Sequence, residues 1–410
     1  MAESTAPPGV KKNALENSAL HYLMLFFHQV TGWSWRPMLV VALFLLLATA
    51  VVWHTFWSDW LLTGGLLLFL AGIMLADGLL LYLLPHWRLS FGPWAPQFLA
   101  LALPRAGVAL LFALLSPWLG LAWAVGLLIG LQTAGLLALI WGAMVEPFRL
   151  GLTHLSVTTG HWPGSAPPLR LLHISDLHIE RLTRREADLL GLISRLQPDM
   201  IVITGDYLNL SYTRDPAAKA QLRLLLKQIE APLGVYASLG SPTVDLREQM
   251  PELLRDLPLH LLRDEWTQVD LGAERPLLIF GLDCDHDLAD DAARLQKLVS
   301  SAPAGAFRLL LFHAPDLMPE VSALGIDLYL AGHTHGGQIR LPWYGAIFTS
   351  SQLGKRHEMG HYRQGQTELY VSRGVGLEGM SAPRIRFLSP PEVTLVEIRG
   401  NGQLSGSGRV

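Results

Sequence analysis

The 410 residues are 50% hydrophobic and only 16% charged, with a mean hydropathy of +0.32 and a net charge of −3. A charged fraction well below the roughly 25% usual in soluble domains excludes an ordinary soluble protein, and the small negative balance excludes a global field for nucleic acid. A single cysteine, Cys284, excludes an intramolecular disulfide and any all-cysteine metal site.

The charge deficit is local. Between residues 37 and 148 the only acidic or basic side chains are Asp59, Asp77, Arg88, Arg105 and Glu146, and most of the tryptophans precede residue 150. Residues 1–36 read as a cytosolic or interfacial segment, whose apolar stretch is interrupted by His21, His28 and Gln29. Stretches 37–57, 60–84, 97–119 and 121–144 then each supply the run of about 20 apolar residues that crosses a hydrocarbon core. Trp53, Trp57, Trp60, Trp87, Trp94 and Trp118 sit at their ends, as interfacial anchors do. The first span starts too late and runs too long for a cleaved leader.

Lys11, Lys12 and Arg36 precede the first span, Arg88 separates the second from the third, and Arg149 follows the fourth. Only Asp59 lies in the first connection and no charge in the third. This alternation predicts a multi-pass protein with both termini, and the domain after the fourth span, in the cytosol. Asp77 and Arg105 fall inside spans, where a lone charge is costly. They are expected to form a structural ion pair between adjacent helices. A transport role is disfavoured, because the spans show no internal repeat.

Residues 149–168 read as a linker, ending in Pro163, Gly164, Pro167 and Pro168. From residue 169 to 400 the pattern is that of a globular domain, followed by a disordered tail at 401–410. Short apolar runs at 169–174, 200–204, 234–239, 276–281, 308–312 and 327–330 predict buried strands. Segments 183–196 and 217–229 carry helical periodicity, so the fold class is a layered α/β domain behind an all-α transmembrane one.

Four of these runs end in acids or imidazoles: Asp176 and His178 after the first, Gly205-Asp206 after the second, His313 after the fifth, His333 and His335 after the sixth. Strand carboxyl ends are where open α/β sheets place ligand sites. Two carboxylates and four imidazoles exceed what one structural zinc needs, and suit two divalent ions about 3.5–4 Å apart with a shared carboxylate. Mixed nitrogen and oxygen donors favour Mn, Fe or Zn. One ion is assigned Asp176, His178, Asp206 and His335, the other Asp206, His313 and His333. A water between such ions ionises near neutral pH and is placed to attack phosphorus in line.

Asp176-Leu-His178, Gly205-Asp206, His313 and the run Gly-His-Thr-His-Gly-Gly-Gln at 332–338 resemble the calcineurin-like metallophosphoesterase superfamily. The stretches 339–342 and 370–376 resemble its bacterial, membrane-associated branch. The resemblance spans residues 168–398. It implies a four-layer αββα sandwich, a dinuclear centre, phosphoester hydrolysis, and a ligand role for Asp176, His178, Asp206, His313, His333 and His335, with Asp206 bridging.

One motif departs. The superfamily's Gly-Asn-His after the third strand is here Gly240-Ser241-Pro242. Ser241 offers only a weak neutral ligand in place of the asparagine. Pro242 has no proton to give where a histidine would assist the leaving group, a loss that typically costs about 10²–10⁴ in rate. Three readings follow: a substrate with a good leaving group, such as a phosphoanhydride; a substitute group such as His286 or Asp245; or a catalytically impaired metal-binding scaffold or sensor. The leading expectation is a membrane-anchored phosphoesterase whose substrate is lipid-linked, such as UDP-diacylglucosamine, with membrane lipids as its other partners. Arg373 is expected either to clamp a phosphate or to form a structural ion pair. Residues 283–287 are expected to be a solvated acidic loop, and the apolar loop 341–348 either core or a lip facing a bilayer or an acyl chain.

Overall fold

The computed structural model describes residue 26 and residues 29–272, 274–379 and 382–401. The expected interfacial segment, apart from its last residues, and the expected tail lie outside the described residues. The chain divides into two compact units.

The helical unit contains α1 (Trp35–Trp57), α2 (Trp60–His86), α3 (Trp94–Leu119) and α4 (Leu121–Met144), each long and apolar enough to cross a membrane. Asp59 begins α2 as its cap, its carboxylate accepting from the backbone N–H of Leu61 and Leu62. On α3, Ala102, Ala106, Ala109 and Ala113 form a buried small-residue stripe at helical spacing, which lets neighbouring helices approach closely.

Asp77 on α2 and Arg105 on α3 pair in two-pronged fashion, Nε to Oδ2 at 3.0 Å and Nη2 to Oδ1 at 3.1 Å. Gln132 on α4 completes the set. Its carbonyl accepts from Arg105 Nη1 at 2.7 Å, and its amide donates to the Arg105 carbonyl at 2.8 Å. The guanidinium's polar atoms are thus satisfied inside the bundle, which is what makes such a charge tolerable there. Gly379–Phe387, distant in sequence, also belongs to this unit: Arg386 N–H donates to the Gly142 carbonyl at 2.9 Å.

The globular unit is built on two six-stranded sheets. One has the order β1-β14-β2-β3-β4-β5 and the other β12-β13-β9-β8-β7-β6. In the first, β2 (Leu169–Ile174), β3 (Met200–Thr204), β4 (Val235–Ser238) and β5 (His260–Leu261) run parallel, and β14 (Glu392–Asn401) lies antiparallel beside β2. In the second, β7 (Pro276–Gly281), β8 (Phe307–Leu311), β9 (Leu328–Ala331) and β13 (Thr367–Val371) run parallel, flanked by antiparallel β6 (Glu265–Asp270) and β12 (Gly360–Gln364).

Alternation within the strands makes four layers. Leu171, Val202, Ile279, Leu309 and Leu328 meet between the sheets. Their neighbours Leu172, Ile203 and the helices α5 (Arg184–Leu196) and α6 (Pro216–Leu226) form a second core. Leu278, Leu310 and Tyr329 form a third with α8 (Leu288–Ser300) and α9 (Met318–Ala323); the short α7 is Met250–Leu254. Strands covered on both faces read as near-continuous apolar runs, which is why they stand out in the sequence. Thr183 starts α5 with a reciprocal cap to Glu186.

The stretch expected to be a linker is largely ordered. β1 (Gly151–Pro163) pairs parallel with β14 at the sheet edge. Leu155, Val157, Thr159 and Trp162 are buried while His154, Ser156 and Thr158 are exposed. Its polar alternate residues and terminal prolines hide a strand that is covered on one face only.

Candidate metal centre

Two parallel strands from each sheet end at one edge. β2 delivers Asp176 and His178, β3 Asp206, β8 His313, and β9 His333 and His335. All six side chains are buried. They form two groups, Asp176–His178–His335 and Asp206–His313–His333, each with its donor atoms within 4.8 Å of one another.

Asp206 reaches both groups: Oδ2 lies 3.1 Å from His313 Nε2 and 3.6 Å from His178 Nε2. His178 and His335 face each other through Nε2 at 2.9 Å, and His335 Nε2 lies 3.5 Å from Asp176 Oδ1. Bonds of about 2.0–2.2 Å to one cation put neighbouring ligand atoms roughly 3–3.6 Å apart, so these spacings fit a shared ion.

The far ring nitrogens are engaged as metal-binding histidines require. His313 Nδ1 meets the Thr204 carbonyl at 2.7 Å, His333 Nε2 the Ser350 carbonyl at 3.2 Å, and His178 Nδ1 lies 3.1 Å from Glu378. The two carbonyl contacts favour the tautomers of His313 and His333 that turn the other nitrogen inward. Glu378 was not foreseen. It lies 200 positions from His178 in a stretch with no local signature.

Burial opposes protonation of His178 and His313. The carboxylates around them outweigh it, Glu378 foremost for His178 and Asp206 for His313, and each imidazole is pushed up to about 9. The imidazoles in turn outweigh burial at Asp206, which is held well below the usual carboxylate range.

The backbone is strained where it carries these groups. Asp176, His178, Asp206, His333 and His335 have φ of 51°, 42°, 55°, 70° and 51°. Such left-handed conformations cost non-glycine residues of order 1–3 kcal/mol each and gather at functional sites. Gly332 permits the closest approach: a Cβ there would lie 2.0 Å from Ser175 Oγ and 2.1 Å from Asp176 Oδ2.

Ser241 lies beside the second group. Its N–H donates to Asp206 Oδ1 at 2.7 Å, and its Oγ is 3.4 Å from His333 Nδ1. Asp245 is committed elsewhere, its oxygens accepting from the N–H of Asp206, Tyr207 and Gly240 at 2.8, 3.0 and 2.7 Å. Burial and the charge of Asp206 push its carboxyl up to about 6. Arg373 pairs with Glu392, Nη2 to Oε2 at 2.6 Å.

Residues 283–287 are solvated only in part, Asp285 to Asp287 being half-buried. Asp283 and Cys284 are buried, and Arg263 holds Asp283 Oδ2 at 2.9 and 2.6 Å. Arginines distant in sequence neutralise the acids and let the loop pack inward. A third acidic group, Asp285–Asp290–Asp291, already surrounds the guanidinium of Arg294, 3.0 Å from both Asp285 and Asp290.

Residues 169–337 match the family model described as calcineurin-like phosphoesterase. YkuE of Bacillus subtilis, named an uncharacterized metallophosphoesterase, is 28% identical over 262 residues, covering 62% of this chain and 87% of that protein. Phosphodiesterase YaeI of Escherichia coli is 28% identical over 237 residues, covering 57% and 83%. UDP-2,3-diacylglucosamine pyrophosphatase LpxG of Chlamydia muridarum is 25% identical over 322 residues, covering 66% and 95%. Matched strand-end motifs, the two-sheet sandwich and the paired Asp/His groups agree with that match over residues 169–337, and relatives named phosphodiesterase and pyrophosphatase support a hydrolase acting on phosphoester bonds.

Proposed function

We propose that this protein is a membrane-anchored phosphoesterase that cleaves a lipid-linked phosphoanhydride or phosphodiester at a dinuclear metal centre. The observation that carries the reading is the reach of Asp206 into both Asp/His groups, at 3.1 and 3.6 Å. In it Asp176, His178 and His335 would hold one divalent ion and His313 and His333 the other, with Asp206 within reach of both groups. When bound, such ions would activate water for attack on phosphorus and offset charge on the phosphoryl oxygens. The chain's own part is positional. Strand ends fix the donors, Glu378, Thr204 and Ser350 fix ring orientation, and burial keeps bulk water from the anionic groups.

Pro242 offers no proton to a departing oxygen, which favours a leaving group that needs none, as in a phosphoanhydride. The four helices, each long and apolar enough to cross a membrane, support a membrane location, and the distribution of Lys and Arg supports a cytosolic catalytic domain. A hairpin of β10 (Arg340–Leu341) and β11 (Gly345–Ala346) follows the His333–His335 motif directly and exposes Leu341, Trp343, Tyr344 and Ile347. Such a rim suits an acyl chain or the membrane interface. The relative LpxG carries a name that states a diacylated, UDP-linked substrate.

The test is turnover of the full-length protein in nanodiscs with Mn added, on a lipid-linked diphosphate and on a water-soluble nucleotide diphosphate. The lipid-linked substrate is expected to show at least about 10-fold higher kcat/KM, and Asp206→Asn to lower both by about 100-fold or more. Equal rates on the two substrates would remove the lipid preference. Undiminished rates in Asp206→Asn would remove the dinuclear mechanism.

A further inference from the structure

His286 stands where nothing in the motif pattern requires a histidine. It follows β7, the neighbour of β8 in the second sheet, and its loop is drawn inward by the arginine contacts of Asp283 and Asp285. Its Nε2 lies 3.2 Å from Ser241 Oγ, and its ring packs on that of His333 with centroids 4.7 Å apart. Its carbonyl is held by Gln352 Nε2 at 2.8 Å. Its backbone shares the left-handed conformation of five of the six proposed ligands, with φ 59°.

We propose that Ser241 is the protein ligand that replaces the missing amide on the second metal ion, and that His286 is the positioning residue that makes it one. This rests on the dinuclear reading above. Ser241 Oγ stands 3.4 Å from His333 Nδ1, a ligand-to-ligand spacing for one shared ion. A neutral hydroxyl is a poor ligand when its hydrogen rotates toward the cation. With the hydroxyl hydrogen donated to His286 Nε2, the oxygen lone pairs turn toward His333 and Asp206 instead. The backbone N–H of Ser241 fixes the residue further by donating to Asp206 Oδ1 at 2.7 Å. The chain thus uses a Ser–His pair drawn from two sheets where relatives by motif use one asparagine.

The experiment is metal counting on the full-length protein in detergent, loaded with Mn and equilibrated at graded free Mn, with the spin-coupled Mn–Mn signal as a second readout. Wild type is expected to hold two ions per chain. His286→Ala is expected to keep the first ion and weaken the second by at least about 10-fold, with loss of the coupled signal. Ser241→Asn in the His286→Ala background is expected to restore the second ion, because an amide oxygen needs no orienting partner. That rescue also excludes misfolding as the cause of loss. Two ions of unchanged affinity in His286→Ala would overturn this proposal while leaving the dinuclear reading intact. A wild type that holds no more than one ion would overturn both.

Discussion

At the scale of residues, the protonation of His178 and His313 decides how metal enters. Without metal, both imidazoles carry protons at pH 7, since neighbouring carboxylates raise them to about 9 against the opposing effect of burial. A metal ligand must be neutral, so loading expels those protons. The metal-free fold gains stability from the two raised groups below the ordinary imidazole value of about 6.5 and loses it as pH climbs through 9. Mn affinity therefore rises with pH up to about 9, and close to two protons leave per chain on loading at pH 7. Titration calorimetry in buffers of different ionisation enthalpy reads that number, and a value near zero would contradict the assignment. The six clustered Asp and His residues were legible as candidates because each closely follows an apolar run. Glu378 was not, because it depends on a contact between segments far apart in sequence, and His286, named from the sequence as a substitute group, could not be tied to Ser241 for the same reason.

At the scale of elements, charges inside apolar helices had a readable partner. Asp77 and Arg105 are the only ionisable residues deep within the spans, and they meet through two hydrogen bonds with Gln132 completing the set. Breaking a buried pair by removing one partner leaves the other uncompensated and costs about 3–5 kcal/mol. Asp77→Asn or Arg105→Met alone should thus lower thermal stability strongly, while the double variant should lose much less than the sum. A thermal-shift series with additive losses would reject the pairing. The same scale shows what periodicity conceals. β1 alternates buried and exposed residues beside Pro and Gly, so a half-covered edge strand has the composition of a connector. The doubly covered strands β2, β3 and β7, largely apolar, were visible to the residue.

At the scale of the whole molecule, the sheet order has a chemical consequence. Four parallel strands drawn from two sheets end together, and only that convergence brings residue 176 near 335 and residue 206 near 313. The segment that carries Arg373, Gly374 and Glu378 past the site continues into Gly379–Phe387, which belongs to the helical unit. The candidate metal centre and the helical unit are therefore parts of one chain path, which no local sequence pattern announces.

The most direct measurement is anomalous diffraction from Mn-loaded crystals. Two peaks about 3.5–4 Å apart are expected, one among Asp176, His178 and His335, the other among Asp206, His313 and His333, with an Asp206 oxygen between them. A single peak, or metal bound away from these side chains, would contradict the account.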